Sequence, residues 1–189
     1  MTKADSIQFE ANLIVLKEHL ILRLPEDASG RLSSRGQVAV RGTINGRELR
    51  TVLEPDGKFG HWMRIEPGLR DGLGLRAGDR AALQLEAADD WPEPEVPQDI
   101  ATALSAAPEN VRDKWMDITP MARWEWVRWI NETRNPDTRA IRIEKTISKL
   151  SGKHRRPCCF NLAACTDPEL SRSGRLMDPA RAGGPKSPS

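Results

Sequence analysis

Two alternating runs meet at Asn45-Gly46, and this junction constrains the fold more than any other stretch. Val38, Val40, Gly42 and Ile44 precede it at every second position; Leu49, Thr51 and Leu53 follow it with the same period. An Asn-Gly pair between period-two runs marks a hairpin, because a type I′ turn needs positive φ at both central residues. The same period recurs on either side. Ile7, Phe9, Ala11 and Leu13 alternate; Leu20 to Leu24 is a second strand closed by Pro25; His61 to Ile65 is a short one; Ala81, Leu83 and Leu85 form another. Residues 26–36, rich in Gly and Ser around Leu32, read as a loop or short helical turn, and Pro67 to Asp71 as one helical turn. Five or six strands ahead of any long helix predict an α+β protein, a small closed β-barrel followed by a C-terminal helical module.

Past residue 88 the pattern changes. Residues 89–97 (DDWPEPEVP) are acidic and proline-rich, the composition of an extended linker. Short helical patterns follow at 99–106, with Ile100, Ala103 and Leu104, and at 108–118, with Val111, Trp115 and Met116. Thr119-Pro120 then opens a longer helix, Thr119 as N-cap and Pro120 at the first helical position. Ala122, Trp126, Trp129, Ile130 and Thr133 lie on one face of it, while Trp124 and Val127 lie off that face, so the helix is expected to touch neighbours on two sides. Asn135-Pro136 opens the next, with Asp137 in its first turn and Ala140, Ile143, Ile147 and Leu150 as its apolar stripe. Gly152 stands where a left-handed C-terminal residue belongs. The short link at Asn135-Pro136 implies a helical hairpin or a sharp corner. With no Tyr and three Phe, the six Trp are the main large packing units, and Trp126 and Trp129 are expected in the core. The expected plan is a barrel over 5–90, a linker over 91–97, helices over 98–156, a Cys-containing extension over 157–177 and a disordered tail over 178–189.

Charge separates along the chain. Residues 1–120 hold 15 basic and 20 acidic side chains, net −5, whereas residues 121–156 hold 10 and 4, net +6. The basic part can pair with the acidic part or meet an anionic partner. There is no run of eighteen apolar residues, so no membrane span is expected. The first residues (MTKADSIQFEANLIVL) lack the basic start, apolar block and cleavage site of a secretory signal. The cysteines, Cys158, Cys159 and Cys165, are odd in number and clustered, which argues for a reducing cytoplasm rather than a disulfide framework.

The run Trp126-Val127-Arg128-Trp129-Ile130, then Thr138-Arg139, Arg142-Ile143, Ile147, Leu150 and Gly152-Lys153, resembles the helical C-terminal module of the bacteriocin-protection, YdeI/OmpD-associated family. Glu132-Thr133-Arg134 stands where that family usually has Ala-Lys, so no role for that lysine carries over. Val40-Arg41-Gly42-Thr43-Ile44-Asn45-Gly46, then Gly60-His61, then Gly78-Asp79 before a strand, is similar to a barrel domain of unknown function that often precedes the module. That barrel resembles a double-split β-barrel, related in shape to AbrB/MazE-type barrels. The two resemblances cover about residues 7–155 and imply a bacterial soluble protein linked to stress or bacteriocin tolerance, with no catalytic residue set to carry over.

Each candidate site has a plainer alternative. His154 with Cys158, Cys159 and Cys165 offers soft ligands for zinc, or thiols whose pKa the adjacent Lys153, Arg155 and Arg156 lower; the spacing matches no standard zinc motif, and the alternative is that Phe160, Leu162 and one or two of the cysteines pack against the barrel as hydrophobes. His61 has no Ser or Cys beside it in sequence and fits packing or a rim hydrogen bond better than general-base work. Asp79 fits a turn cap. Arg128, Arg139, Arg142, Lys145, Lys149, Lys153, Arg155 and Arg156, with Arg134, offer phosphate grips, and Trp124, Trp126 and Trp129 offer stacking faces. The alternative is a tryptophan core under a solvated basic surface, partly paired with Glu132 and Glu144. No phosphate loop, dinucleotide fingerprint or nucleophile elbow is present. The expected function is therefore a non-enzymatic binding protein without a cofactor. Its partner is a protein or, in the rival reading, a nucleic acid bound weakly by the basic helices.

Overall fold

The computed structural model describes residues 5–158 and 161–179. It divides into two compact units. One runs through Asp90 and regains the chain at Leu162–Cys165 and from Leu170 onward; the other comprises Trp91–Asn161 and Thr166–Glu169.

The first unit is a closed antiparallel barrel of six strands, β1 (Ile7–Leu16), β2 (His19–Arg23), β3 (Val38–Ile44), β4 (Arg47–Pro55), β5 (His61–Arg64) and β6 (Arg80–Ala87), joined in the order β1-β2-β5-β4-β3-β6 and back to β1. Closure removes every free strand edge of the sheet. The alternating residues supply the interior: Leu13, Leu22, Val40, Ile44, Leu53, Met63, Ala81, Leu83 and Leu85 are buried in one cluster. Asn45 and Gly46 both take positive φ, 48° and 80°, as the type I′ hairpin requires. The Asn45 side chain also accepts from the Ala82 N–H at 2.9 Å, which ties this turn to β6. Where β3 meets β6, a Cβ on Gly42 would lie 1.8 Å from the Gln84 carbonyl oxygen, so the close approach admits only glycine. Two short helices, α1 (Glu26–Gly30) and α2 (Pro67–Leu73), fill the connections.

A second apolar cluster lies on the other side of β1, β2 and β5. Leu16, Ile21 and Trp62 pack there with Cys165, Leu170 and Leu176 from the end of the chain. This end folds as a small hairpin, β7 (Ser171–Arg172) and β8 (Arg175–Leu176), turning on Ser173-Gly174 with φ of 52° and 76°. The Leu176 N–H donates to Asp56 O at 2.9 Å and Arg23 Nη2 to Met177 O at 3.0 Å. The hairpin was not foreseen from the sequence. The signal for it was present: Leu20-Ile21-Leu22 is a continuous apolar run, which a strand needs only when both its faces are covered.

The second unit holds α3 (Gln98–Ala106), α4 (Glu109–Asp117), α5 (Pro120–Asn131) and α6 (Pro136–Ser151). Thr119 Oγ1 accepts from Ala122 N and Asn135 Oδ1 from Thr138 N, the two expected N-caps. Ile100, Leu104, Val111, Trp115, Ile118, Ala122, Trp126, Val127, Ile130 and Leu150 form the core. Trp126 is completely buried, Trp129 half-buried, and Ala140 exposed. Gly152 departs from expectation: its φ of −98° and ψ of −144° are not left-handed, and its N–H donates to Lys149 O at 3.1 Å. Residues 180–189, most of the expected disordered tail, lie outside the described residues.

Candidate functional site

The helical unit is unusual in burying charge. Arg123, Glu125 and Arg128, all on α5, are 7%, 5% and 4% exposed. A buried charge is tolerable only when paired and hydrogen-bonded. For Arg123 the partners are explicit. Its Nη1 donates to the carbonyls of Trp115 (2.8 Å), Met116 (3.2 Å) and Ile118 (2.7 Å), and its Nη2 and Nε hold Glu93 at 2.5 and 2.8 Å. The carbonyls belong to the C-terminal end of α4, where no intrahelical donor remains and a cation is favoured by the helix dipole. Arg123 was not among the residues singled out from the sequence, since nothing in its spacing distinguishes it.

Several of the arginines expected to grip phosphate are engaged inside this unit in the same manner. Arg139 makes a two-pronged contact with Asp99 and donates to Asn131 Oδ1 at 2.9 Å, joining α6 to α3 and to the end of α5. The hydrogen bond from Arg139 holds the Asp99 carboxyl below its ordinary pKa. Arg142 Nη1 donates to Trp129 O at 2.5 Å and to Glu132 Oε2 at 2.8 Å, closing the C-terminus of α5 as Arg123 closes that of α4. Beyond α6, Arg155 pairs with Asp117 at 2.8 Å and Arg156 holds the buried Glu125 with two contacts, Nε to Oε2 at 2.6 Å and Nη2 to Oε1. Glu125 raises the pKa of Arg156 by accepting from it. Trp126 Nε1 donates to Arg155 O at 3.1 Å, and on another flank Trp124 Nε1 donates to Pro92 O at 2.7 Å. Two extended segments, 91–93 and 155–156, are thus fastened along α5 by tryptophan N–H groups and ion pairs.

The lysines differ. Among the described residues, Lys145, Lys149 and Lys153 have no carboxylate at ion-pair distance, and Lys145 and Lys153 are exposed. Lys149 Nζ and the Arg142 guanidinium sit over the Trp129 ring, 6.0 and 5.1 Å from its centroid, and Trp126 meets that ring edge-on at 6.0 Å.

In the barrel unit, His61 on β5 is 1% exposed. Its Nε2 lies 2.8 Å from Gly36 O and its Nδ1 2.7 Å from the Oγ of Ser29, itself 2% exposed. Donation from Nε2–H to the carbonyl leaves Nδ1 to accept the serine O–H, so one neutral tautomer satisfies both contacts. Burial lowers the His61 pKa, and nearby Arg35 lowers it further. The pair has the composition of a nucleophile and a base, but it is sealed from solvent and both ring nitrogens are engaged. Asp79 accepts from Arg76 N at 2.8 Å as a turn cap.

The thiol candidates are dispersed by environment. Cys165 is buried in the outer cluster of the barrel, Cys158 and His154 are exposed, and Cys159 lies outside the described residues. Among the described residues, no three His, Cys, Asp or Glu side chains are grouped so as to hold a metal ion. No helix there is long and apolar enough to cross a membrane.

No curated protein matches this chain in sequence. Two family models do match, in tandem. Residues 9–85, the barrel, match a domain of unknown function (DUF1905), and residues 93–152, the helices with the segment fastened along α5, match the bacteriocin-protection, YdeI or OmpD-associated model. The chain therefore carries, in tandem, a DUF1905 barrel domain and a helical domain of the bacteriocin-protection, YdeI or OmpD-associated family.

Proposed function

We propose that this protein acts by binding rather than by catalysis, as a bacterial cytoplasmic component of bacteriocin or stress tolerance whose ligand is another protein. The observation that supports this most is the condition of its reactive groups. Ser29 and His61 are shut inside the barrel unit, and the arginines that would meet phosphate are engaged with Asp99, Asp117, Glu125 and Glu132. The match of the helical unit to the bacteriocin-protection family model supports the physiological part of this reading. The experiment is purification of the full chain from cells at two salt concentrations. Mass spectrometry identifies bound protein, absorbance reports nucleic acid, and survival under bacteriocin is compared with and without the gene. The expected result is a stoichiometric protein partner and reduced survival without the gene. Retention of nucleic acid alone, or unchanged survival, overturns the proposal.

Nucleic-acid binding is the second reading, and the lysines without carboxylate partners, Lys145, Lys149 and Lys153, are what favours it. Counterion release would make such binding fall steeply with salt, so an oligonucleotide titration at two salt concentrations separates the readings.

A further inference from the structure

We infer that Arg142, Lys145 and Lys149, ranged along one edge of α6 with Arg142 and Lys149 over Trp129, form a docking ridge for an acidic segment of a partner protein. The inference rests on the binding reading above and names the surface and the chemistry that binding uses. At about 100° per residue, positions 142, 145 and 149 fall within about 60° of one another around the helix, so they share an edge. Lys145 and Lys149 are i and i+4 neighbours of like charge, a placement that costs an isolated helix a few tenths of a kcal/mol. Elsewhere this unit matches Arg123, Arg139, Arg155 and Arg156 to carboxylates, at Glu93, Asp99, Asp117 and Glu125. On this edge, Arg142 alone has such a partner. Lys145 and Lys149 have no described carboxylate at ion-pair distance to neutralise them.

The ridge has fixed dimensions. Trp129 holds both Arg142 and Lys149 by its ring, and Arg142 is further held by Trp129 O and Glu132, so the flexible side chains are partly ordered before any ligand arrives. The rise from Lys145 to Lys149 is about 6 Å. Carboxylates two residues apart on an extended chain are about 6.6–6.8 Å apart, close to this spacing. An acidic segment with glutamates at alternate positions can therefore address both lysines and reach toward Arg142. The same geometry disfavours a single-stranded nucleic acid. Base stacking needs a free aromatic face, and the Trp129 ring already has the Arg142 and Lys149 cations over it, 5.1 and 6.0 Å from its centroid, and a T-shaped contact with Trp126.

The test is fluorescence anisotropy on the full chain at low and near-physiological salt. The probe is a labelled peptide with three glutamates at alternate positions, against the same peptide with glutamines and a single-stranded oligonucleotide. Binding of the glutamate peptide is expected at low salt. It should weaken about tenfold or more with the glutamine peptide and with the Lys145→Glu/Lys149→Glu variant, and stay unchanged with Lys58→Glu on the barrel. Thermal melting of each variant confirms that folding is intact; Lys145 is exposed and Lys149 half-buried beside Trp129, so at most a small shift is expected. Equal binding of the glutamine peptide, no loss in the double variant, or tighter oligonucleotide binding through the same lysines would overturn the inference. So would self-association in sedimentation that the double variant abolishes. A co-purified partner that the double variant still retains removes the ridge and leaves the binding reading in place; absence of any protein partner removes that reading itself.

Discussion

Arg139 grips Asp99 with two parallel contacts, Nε to Oδ2 at 2.5 Å and Nη2 to Oδ1 at 3.0 Å, across forty positions of sequence. The pair pins the start of α6 to the start of α3. Two-pronged guanidinium–carboxylate geometry is the strong form of a surface ion pair, but the Asp99 side chain is 47% exposed, which limits its worth to about 1 kcal/mol. Because the Asp99 pKa is depressed on folding, this contribution is complete above the ordinary carboxylate pKa and is lost as pH falls through the folded value. Asp99→Asn is expected to cost about 1 kcal/mol or less at neutral pH and nothing at the lowest pH where the protein stays folded. Denaturant melts of both proteins across pH 2–7 check this.

His61 should make the barrel acid-sensitive. Its folded pKa is depressed by burial, so the unfolded chain takes up the proton first as pH drops. Stability is therefore full above the ordinary imidazole pKa and declines as pH falls below it. A His61→Gln variant should start less stable and lose less between pH 7 and pH 5, as read from thermal melts. Ser29→Ala leaves Nδ1 buried without its donor and should cost about 1–3 kcal/mol.

The two tryptophans of the α5 stripe should separate. Trp126 is fully buried and donates to Arg155 O, whereas Trp129 is half-buried under two cations. Trp126→Ala should cost about 3–5 kcal/mol and Trp129→Ala clearly less. Equal losses in denaturant midpoint would contradict this packing.

Gly57 should resist substitution. Its φ is +79°, and an added Cβ would stand 2.0 Å from Gly174 O in the β7–β8 hairpin. Gly57→Ala must therefore displace the hairpin, exposing Cys165, which is now 2% exposed against Leu16, Ile21 and Trp62. The expected readout is faster labelling of Cys165 by a thiol reagent, in a chain with Cys158 and Cys159 replaced by Ser, together with a lower melting temperature.

Local patterns determined the elements. Alternation at Val38–Ile44 and Leu49–Leu53 around Asn45-Gly46 could satisfy only a hairpin with one face inward, and Thr119-Pro120 and Asn135-Pro136 could only begin helices, because caps and turns act over three or four residues. The roles of the charged residues were not legible in that way. Arg139, Arg142, Arg155 and Arg156 read as a basic surface, yet their partners Asp99, Glu132, Asp117 and Glu125 lie 40, 10, 38 and 31 positions away. Arg123 looked unremarkable and turned out to close the end of α4. Ser29 and His61 are 32 positions apart and become a pair only when α1 is folded against β5. A hydrogen bond or ion pair forms between groups that the fold brings within about 3 Å, and sequence separation carries no information about that distance. Apart from the β7–β8 hairpin and the exit from α6 at Gly152, the strands, helices and turns of this protein were therefore settled by sequence, through interactions between near neighbours. Which of its charges are engaged with one another and which have no carboxylate opposite was decided only by tertiary structure, because that depends on what stands opposite each side chain once the elements have packed.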